Sequence, residues 1–566
     1  MKRPFLSTVF MAALLAAACG TAFAGIAVPN VMAGTPRAAM RHVSVATTTT
    51  EVRLAVVLKY RNQAQLDALR TSQSDPASPL YAHWLSAEQF LENFAPSASD
   101  YAATVATLQG AGFQIGQTYP NRTVIDVLGP APVVDRYFQT QIANVQQPGS
   151  GLRYANVRPA FLPPALARTV EGVIGFDNLR EFQTDHVFAD RSAPPLNRPY
   201  AKLGPPLFGP DEGFGPYGFV SAYDFPVQHQ IPGAPAGTTY DGTGHAVGVV
   251  IDSDYLDSDL AGFLKYFNVT RTGPPTSRVL IDGGPKPVIN GDTIETTLDV
   301  ETVTGTAPGI KLYVYEPDEL SYVAIIDTYN HAASDDKVDV VNSSFGGCET
   351  QTAPSFFPQL SDYIAEQAAT EGMVFSASTG DGGTNACSSA TPGGVSTPAS
   401  GRHFVAAGGT TLFETGAGKY ITEWGWAGSG GGVSAIFALP KYQSGVKNVL
   451  PGGRNLPDVG FDSDPDSGAS YYLEGSWQGP IGGTSLASPL FCAMLAEVEQ
   501  VKAKRIGGIH GALYGVFREY GYTGPNGKLF NDAVSVSNGY YTAIPGYDQV
   551  TGIGSIDGWN FAQLVK

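Results

Sequence analysis

The chain has 566 residues, with 51 acidic and 34 basic side chains and a formal charge of −17 at neutral pH. That balance leaves no basic patch for nucleic acid, so that class of partner is excluded. The length exceeds one ordinary domain, so at least two units are expected.

The first signal in chain order is a leader. Lys2 and Arg3 precede an apolar run to Ala18 and then Ala22-Phe23-Ala24, which reads as a secretory signal peptide over 1–24, cut before Gly25. A secreted product, extracellular or periplasmic, follows from that reading. Cys19 follows Ala16-Ala17-Ala18 without the branched apolar residue of a lipoprotein signal, so no lipid anchor is expected. No later stretch is long and apolar enough to span a membrane. Residues 52–58 then read as a strand and 63–70 and 100–109 as helices, before a Pro-rich linker over 192–210. The units are therefore expected over 25–191 and 214–566, joined by a linker over 192–213.

The second unit alternates strand-length apolar runs (246–251, 311–315, 338–342, 373–377, 403–407) with helical stretches. That is an α/β pattern around a mostly parallel sheet. Within it, Thr293-Ile294-Glu295-Thr296-Thr297-Leu298-Asp299-Val300 reads as a helix, with Glu295 and Asp299 four apart on one face. No Lys or Arg occurs from 293 to 310 to relieve them. Two such carboxyls should share a proton, with one pKa raised, which suits a general base working in acid. Two solvated helix acids are the plain alternative. A third carboxyl, Asp381, lies between Gly380 and Gly382 just past the strand at 373–377, where open parallel sheets place functional residues. Kept protonated, it would donate a hydrogen bond to an oxyanion. An ordinary turn aspartate is the alternative.

Gly482-Gly483-Thr484-Ser485-Leu486-Ala487-Ser488-Pro489 reads as a serine nucleophile at a helix start. The glycines allow close backbone approach to a ligand, and Leu490, Phe491, Met494, Leu495 and Val498 keep helical spacing. Ser485 would sit near the positive end of the helix dipole. Pro489 reads as a proline of the helix start, where backbone N–H groups lack partners anyway. A Gly-rich loop with a capping serine is the alternative. The histidines (His42, His83, His186, His229, His245, His331, His403 and His510) all read as surface or packing residues.

Together these segments resemble the sedolisin family of serine-carboxyl peptidases, which includes kumamolisin-like enzymes. The family pattern is a Glu-x-x-x-Asp helix, a Gly-Asp turn and Ser-Gly-Thr-Ser-x-x-x-Pro. Here they occur in the family's order as Glu295 and Asp299, Asp381, and Ser485. Ser429-Gly430-Gly431-Gly432-Val433-Ser434 also fits closely, and the stretch from Pro216-Tyr217-Gly218 to Ala222-Tyr223-Asp224 loosely. There are two departures. Gly482 replaces a usual Ser, and Gly382 follows Asp381 where Ser is common. The resemblance implies a subtilisin-like α/β catalytic domain with a mostly parallel sheet, preceded by an α+β activation prodomain. Asp75-Pro76-Ala77-Ser78-Pro79-Leu80-Tyr81-Ala82-His83-Trp84-Leu85 carries the prodomain likeness. It implies a zymogen inhibited by its own prodomain, with a maturation site in 192–213.

The implied roles are Ser485 as nucleophile, Glu295 as base, Asp299 orienting Glu295, and protonated Asp381 stabilising the oxyanion. Phe530-Asn531-Asp532-Ala533 and Ile544-Pro545-Gly546-Tyr547-Asp548 resemble the family's calcium site. One calcium ion is implied, held by the carboxylates of Asp532 and Asp548 and the carbonyls of Ala533, Ile544 and Gly546. On an oxidising export route Cys348 and Cys387 are expected to pair, and Cys492 to stay a buried thiol. The expected protein is a monomeric, secreted, acid-acting endopeptidase acting on protein or peptide substrates, without nucleic-acid or membrane partners. Three alternatives stand beside it. One is a tripeptidyl-peptidase of the same family. Another is an ordinary subtilisin, which Val249-Val250-Ile251-Asp252-Ser253-Asp254 mimics but for which a His-Gly-Thr segment is missing. The third is a noncatalytic calcium-stabilised binding protein on the same scaffold.

Overall fold

The computed structural model describes residues 27–28, 41–75, 77–147, 151–179, 182–190, 206–387 and 393–566. The expected leader over 1–24 and residues 192–205 of the expected linker lie outside them.

The first unit centres on a four-stranded antiparallel sheet in the order Gln114–Thr118, Val124–Pro130, Glu51–Leu58, Val170–Ile174. Helices Ala98–Ala111 and Ala131–Phe138 cover one face. Ser97 caps the first of these by accepting from Asp100 N at 3.0 Å. The strand Glu51–Leu58 is buried on both faces, and its two-residue period explains why. Val52, Leu54, Val56 and Leu58 enter a core with Leu108, Val134 and Phe138. Ala55 and Val57 belong instead to the large core of the second unit. On that same outer face Arg53 meets four carboxylates. Asp126 belongs to its own unit at 3.4 Å, and Asp327 at 2.8 Å, Asp318 at 3.3 Å and Asp282 belong to the other.

The second unit is built on six parallel strands in the order Ser277–Leu280, Lys311–Glu316, Ala246–Val250, Val340–Ser343, Val374–Ser378, Phe404–Glu414. Tyr420–Gly425 closes one edge antiparallel, and Val459–Asp462 adds a further parallel pairing. The strands expected at 338–342 and 403–407 fall at Val340–Ser343 and Phe404–Glu414. The second is longer because it has two partners besides Val374–Ser378: Val459–Asp462 pairs up to Thr410, and Tyr420–Gly425 pairs from Thr410 on. The helix expected over 293–300 runs on as Thr293–Thr306. Its Thr-rich end stays helical while buried because Thr304 and Thr306 hydroxyls donate to carbonyls one turn back, at 2.6 and 2.7 Å.

The helix Thr484–Lys502 runs through the centre of this unit, with every residue from Thr484 to Glu499 buried. An all-round apolar helix belongs in such a place. The structure corrects the reading of Pro489, which is the sixth helical residue and lies inside the helix. Its missing amide would have met the Ser485 carbonyl, which Ser344 Oγ approaches at 3.5 Å instead. Cys348 and Cys387 are bonded, and Cys492 is a free buried thiol. Among the described residues no helix is long and apolar enough to cross a membrane.

Arg53 is the one cation in its cluster, so removing it strands carboxylates in a partly buried interface. In a chain held intact by Ser485→Ala, Arg53→Met should cost roughly 3 kcal/mol of stability. A lowered urea midpoint would register that loss. An unchanged midpoint would show that the cluster does not hold the two units together.

Candidate active site

Glu295 and Asp299 lie one turn apart on the helix Thr293–Thr306, which packs along Thr484–Lys502, and both are 0% exposed. Asp299 Oδ1 accepts from Ser344 Oγ at 2.7 Å. Among the described residues, Asp299 Oδ2 and Glu295 Oε1 have no partner in full hydrogen-bond geometry. Burial pushes both carboxyls well above the usual range. The Ser485 hydroxyl opposes the rise at Glu295, and the charge of Glu295 adds to the rise at Asp299.

Asp381 follows the strand Val374–Ser378 in the tight Gly380-Asp381 turn. Its Oδ1 accepts from Thr484 N at 2.7 Å and from Thr484 Oγ1 at 2.9 Å. Its Oδ2 is shielded from solvent and has no partner. Desolvation first, then the charge of Asp185, pushes this carboxyl well above its ordinary range. A proton held on Oδ2 would be free to donate. The Ser429–Ser434 motif explains itself here: Gly430 N donates to Gly380 O at 2.8 Å, and a Cβ on Gly430 would come within 1.8 Å of Thr379 O. The two departures from the family pattern differ in kind. A Cβ on Gly482 would lie 2.3 Å from Ser463 O, whereas on Gly382 it would meet nothing nearer than 3.9 Å.

No local sequence pattern signals that residues 182–190 reach this site. Gln183 and Thr184 pair antiparallel with Gly346 and Phe345, and Val187 and Phe188 pair antiparallel with Gly482 and Ile481. Between them Asp185 N donates to Ser344 O at 3.2 Å, and Ser485 N donates to Asp185 O at 3.0 Å. A Cβ on Gly483, whose φ is +105°, would lie 2.3 Å from Asp185 O and 2.5 Å from Asp381 Oδ2. The two oxygens crowd one bare face of that glycine. A carbonyl held between a helix-start amide and a carboxyl oxygen is the geometry from which an oxyanion hole works.

His186 overturns the expectation that every histidine is a surface or packing residue. Its Nδ1 lies 2.7 Å from Glu295 Oε2. Burial lowers its pKa, against the charges of Asp292, Asp185 and Asp299. Ser485 Oγ donates to Ser344 O at 3.3 Å.

The segments that carry the expected metal ligands meet through hydrogen bonds. Gly546 N donates to Asp532 Oδ2 at 3.1 Å, Ile544 N donates to Asp548 Oδ2 at 3.0 Å, and Ala533 O accepts from Thr551 Oγ1 at 3.3 Å. Ile544 keeps φ out of the left-handed region, and Gly546 occupies it at +94°. Two carboxylates with carbonyls from one loop make an all-oxygen donor set, which fits calcium.

Two family profiles match this chain: the pro-kumamolisin activation domain over residues 38–179 and the subtilase family over 288–508. The chain is 31% identical to sedolisin of Pseudomonas sp. (strain 101) over 529 residues, which cover 89% of this chain and 85% of that protein. It is 30% identical to xanthomonalisin of Xanthomonas sp. (strain T-22), over 93% of this chain and 67% of that one. Kumamolisin of Bacillus sp. (strain MN-32) is 27% identical over 91% of each. The solved structure of Pseudomonas sedolisin complexed with two molecules of pseudo-iodotyrostatin aligns with a TM-score of 0.53 at 30% identity. It covers 62% of this chain and 97% of that one. With that fold, an activation domain ahead of it and relatives matching along almost its whole length, the chain belongs to the sedolisin family of serine-carboxyl peptidases.

Proposed function

We propose that this peptidase is a secreted, acid-acting endopeptidase that works through Ser485, Glu295, Asp299 and Asp381 and is held inactive by its own prodomain. The observation that carries the endopeptidase reading is an internal stretch of chain lying extended on both sides of Ser485. A tripeptidyl-peptidase must close its cleft three residues before the cut, to recognise a free N-terminus. Here the fourth residue before the Asp185–His186 bond, Phe182, is itself bound. Its N–H donates to Leu320 O at 2.9 Å, and its ring packs on Tyr322, Phe345 and Phe357.

In the proposed reaction Ser485 Oγ attacks the peptide carbonyl carbon while Glu295 takes its proton. Asp299, fixed by Ser344, holds Glu295 in place and shares a proton with it. The developing oxyanion takes hydrogen bonds from Ser485 N and from protonated Asp381. Glu295 returns the proton to the leaving amine, and water then clears the acyl-enzyme by the same route. In the intact precursor His186 engages Glu295 Oε2 and so competes with Ser485 for the base. The Cys348–Cys387 bond suits an oxidising compartment outside the cytosol. Calcium, held by Asp532 and Asp548 with the carbonyls of Ala533, Ile544 and Gly546, would tie the C-terminal loop together and take no part in the chemistry.

Casein digestion at acidic pH measures the catalytic set. Ser485→Ala should lower the rate by on the order of 10⁴–10⁶ and leave the precursor uncut. Asp381→Ala should cost about 10²–10³. Asp381→Asn keeps a donor without needing a proton, so it should retain more activity and extend it to higher pH. A wild-type optimum at neutral pH or above would sink the carboxyl mechanism.

The melting of Ser485→Ala precursor should also depend on pH. Glu295, Asp299, Asp381 and Asp185 all have folded pKa values above their unfolded ones, with Asp185 pushed up to about 6. Each therefore contributes stability that is complete below its unfolded value, about 4, and is lost as pH rises through the folded value. The precursor should melt at a higher temperature at pH 4 than at pH 7. A melting temperature that is flat or rising over that span would contradict the assigned protonation states.

Chelating calcium should lower the melting temperature, because a ligand bound only by the folded state stabilises it, by about 2.7 kcal/mol at a hundred times its Kd. Asp532→Ala and Asp548→Ala should each reproduce the loss. Metal analysis finding no calcium, with melting indifferent to chelator, would remove the site.

A further inference from the structure

We propose that the enzyme first frees itself by cutting its own Asp185–His186 bond, and that it favours substrates with an aromatic residue four positions before the cut and aspartate immediately before it. This rests on the serine-carboxyl reading above and adds the substrate preference of the same site. The register follows from the backbone. Asp185 is the residue whose carbonyl takes the Ser485 amide and whose own amide donates to Ser344 O, so the bond that follows it is the one presented.

Two side chains of the segment enter built pockets. Phe182 is 5% exposed, with ring centroids 4.7 Å from Phe357, 5.2 Å from Tyr322 and 5.6 Å from Phe345. The Asp185 carboxyl accepts from Ser378 Oγ at 2.7 Å, and a Cβ on Gly346 would stand 3.5 Å from it. Ser378 is fully buried, and Gly346 presents no side chain to the carboxyl. The remaining residues are held more loosely. Gln183 is exposed, and Thr184 is half-buried with a long 3.3 Å hydrogen bond to Asp292.

The titratable groups acting with Asp185 are Asp381 in the turn past Val374–Ser378, Glu295 on the facing helix, and His186 beside it. Both carboxyls are raised by the charge of Asp185, so the pocket disfavours an ionised occupant. Burial correspondingly pushes Asp185 up to about 6. In acid it enters neutral, as a small hydrogen-bonding side chain. Cutting forms an ester between Ser485 Oγ and the Asp185 carbonyl carbon as the Asp185–His186 C–N bond breaks. The Ser485 proton passes through Glu295 to the His186 nitrogen. Water then hydrolyses the ester, leaving a prosegment that ends at Asp185, an enzyme that begins at His186, and free Ser485. Departure of the prosegment also frees His186 to leave Glu295.

The test has two arms. Precursor purified at neutral pH is acidified, and the earliest fragments are read by intact mass, with the expected new termini at Asp185 and His186. The enzyme so matured is then given peptides of the sequence Phe-Gln-Thr-Asp-His-Val-Phe-Ala and variants. Replacing the Phe by Ala, or the Asp by Lys, should lower kcat/KM tenfold or more at pH 4. Replacing the Asp by Asn should be nearly neutral at pH 4 and favourable at pH 7. First cuts elsewhere, or equal kcat/KM for Asp and Lys peptides, would overturn the proposal. Casein digested alongside would then confine the failure to this inference. If casein too survives at acidic pH, the serine-carboxyl reading falls with it.

Discussion

Four carboxyls, those of Asp185, Glu295, Asp299 and Asp381, are crowded around one serine with no lysine or arginine among the main influences on any of them. Two unit charges 4 Å apart repel by about 4 kcal/mol at an effective dielectric of 20. Such a group settles the conflict by keeping protons, and the rest of the site follows from that choice. A carboxyl that keeps its proton is a donor, as the oxyanion role proposed for Asp381 needs. A pair that shares one proton can still accept another, as the proposed base Glu295 would have to. Both conditions hold together only while the surroundings are acidic. A triad built on histidine meets neither constraint.

The prodomain holds on in two physically different ways. Its sheet docks through Ala55, Val57 and the Arg53 cluster, an interface of apolar faces and ion pairs. The strap over 182–190 instead adds backbone to Phe345–Cys348 on one side and to Ile481–Gly482 on the other. Strand addition of this kind recognises main chain and leaves side-chain choice to a few pockets. The docked sheet keeps the strap at high effective concentration, so weak strap contacts suffice to fill the cleft.

What the sequence disclosed was what local pattern can carry. Glu295 and Asp299 were legible because helical spacing fixes their common face, and Ser485 because glycines and an apolar run announce a buried helix behind it. Pro489 misled because the residues before it already belong to the helix, which starts at Thr484. Asp185 and His186 were invisible. Both sit in an unremarkable polar stretch, and their partners Ser485, Ser378 and Glu295 are brought to them only by tertiary folding. Arg53 was hidden for the same reason, since three of its four partners belong to the other unit.

A segment that lies extended across the site meets, in turn, each element of the proposed reaction. The amide of Ser485 is in place, and so is the free oxygen of Asp381. The proposed base is contested: Glu295 Oε2 lies against His186 Nδ1, while the Ser485 hydroxyl, which donates to Ser344 O, also acts on the Glu295 carboxyl. His186 thus competes with Ser485 for the carboxyl that the proposed mechanism uses as its base. On the proposed reading, inhibition and cleavage need no separate surfaces. They would be two protonation and hydrogen-bonding states of one peptide in one cleft, separated by which partner holds the Glu295 carboxyl.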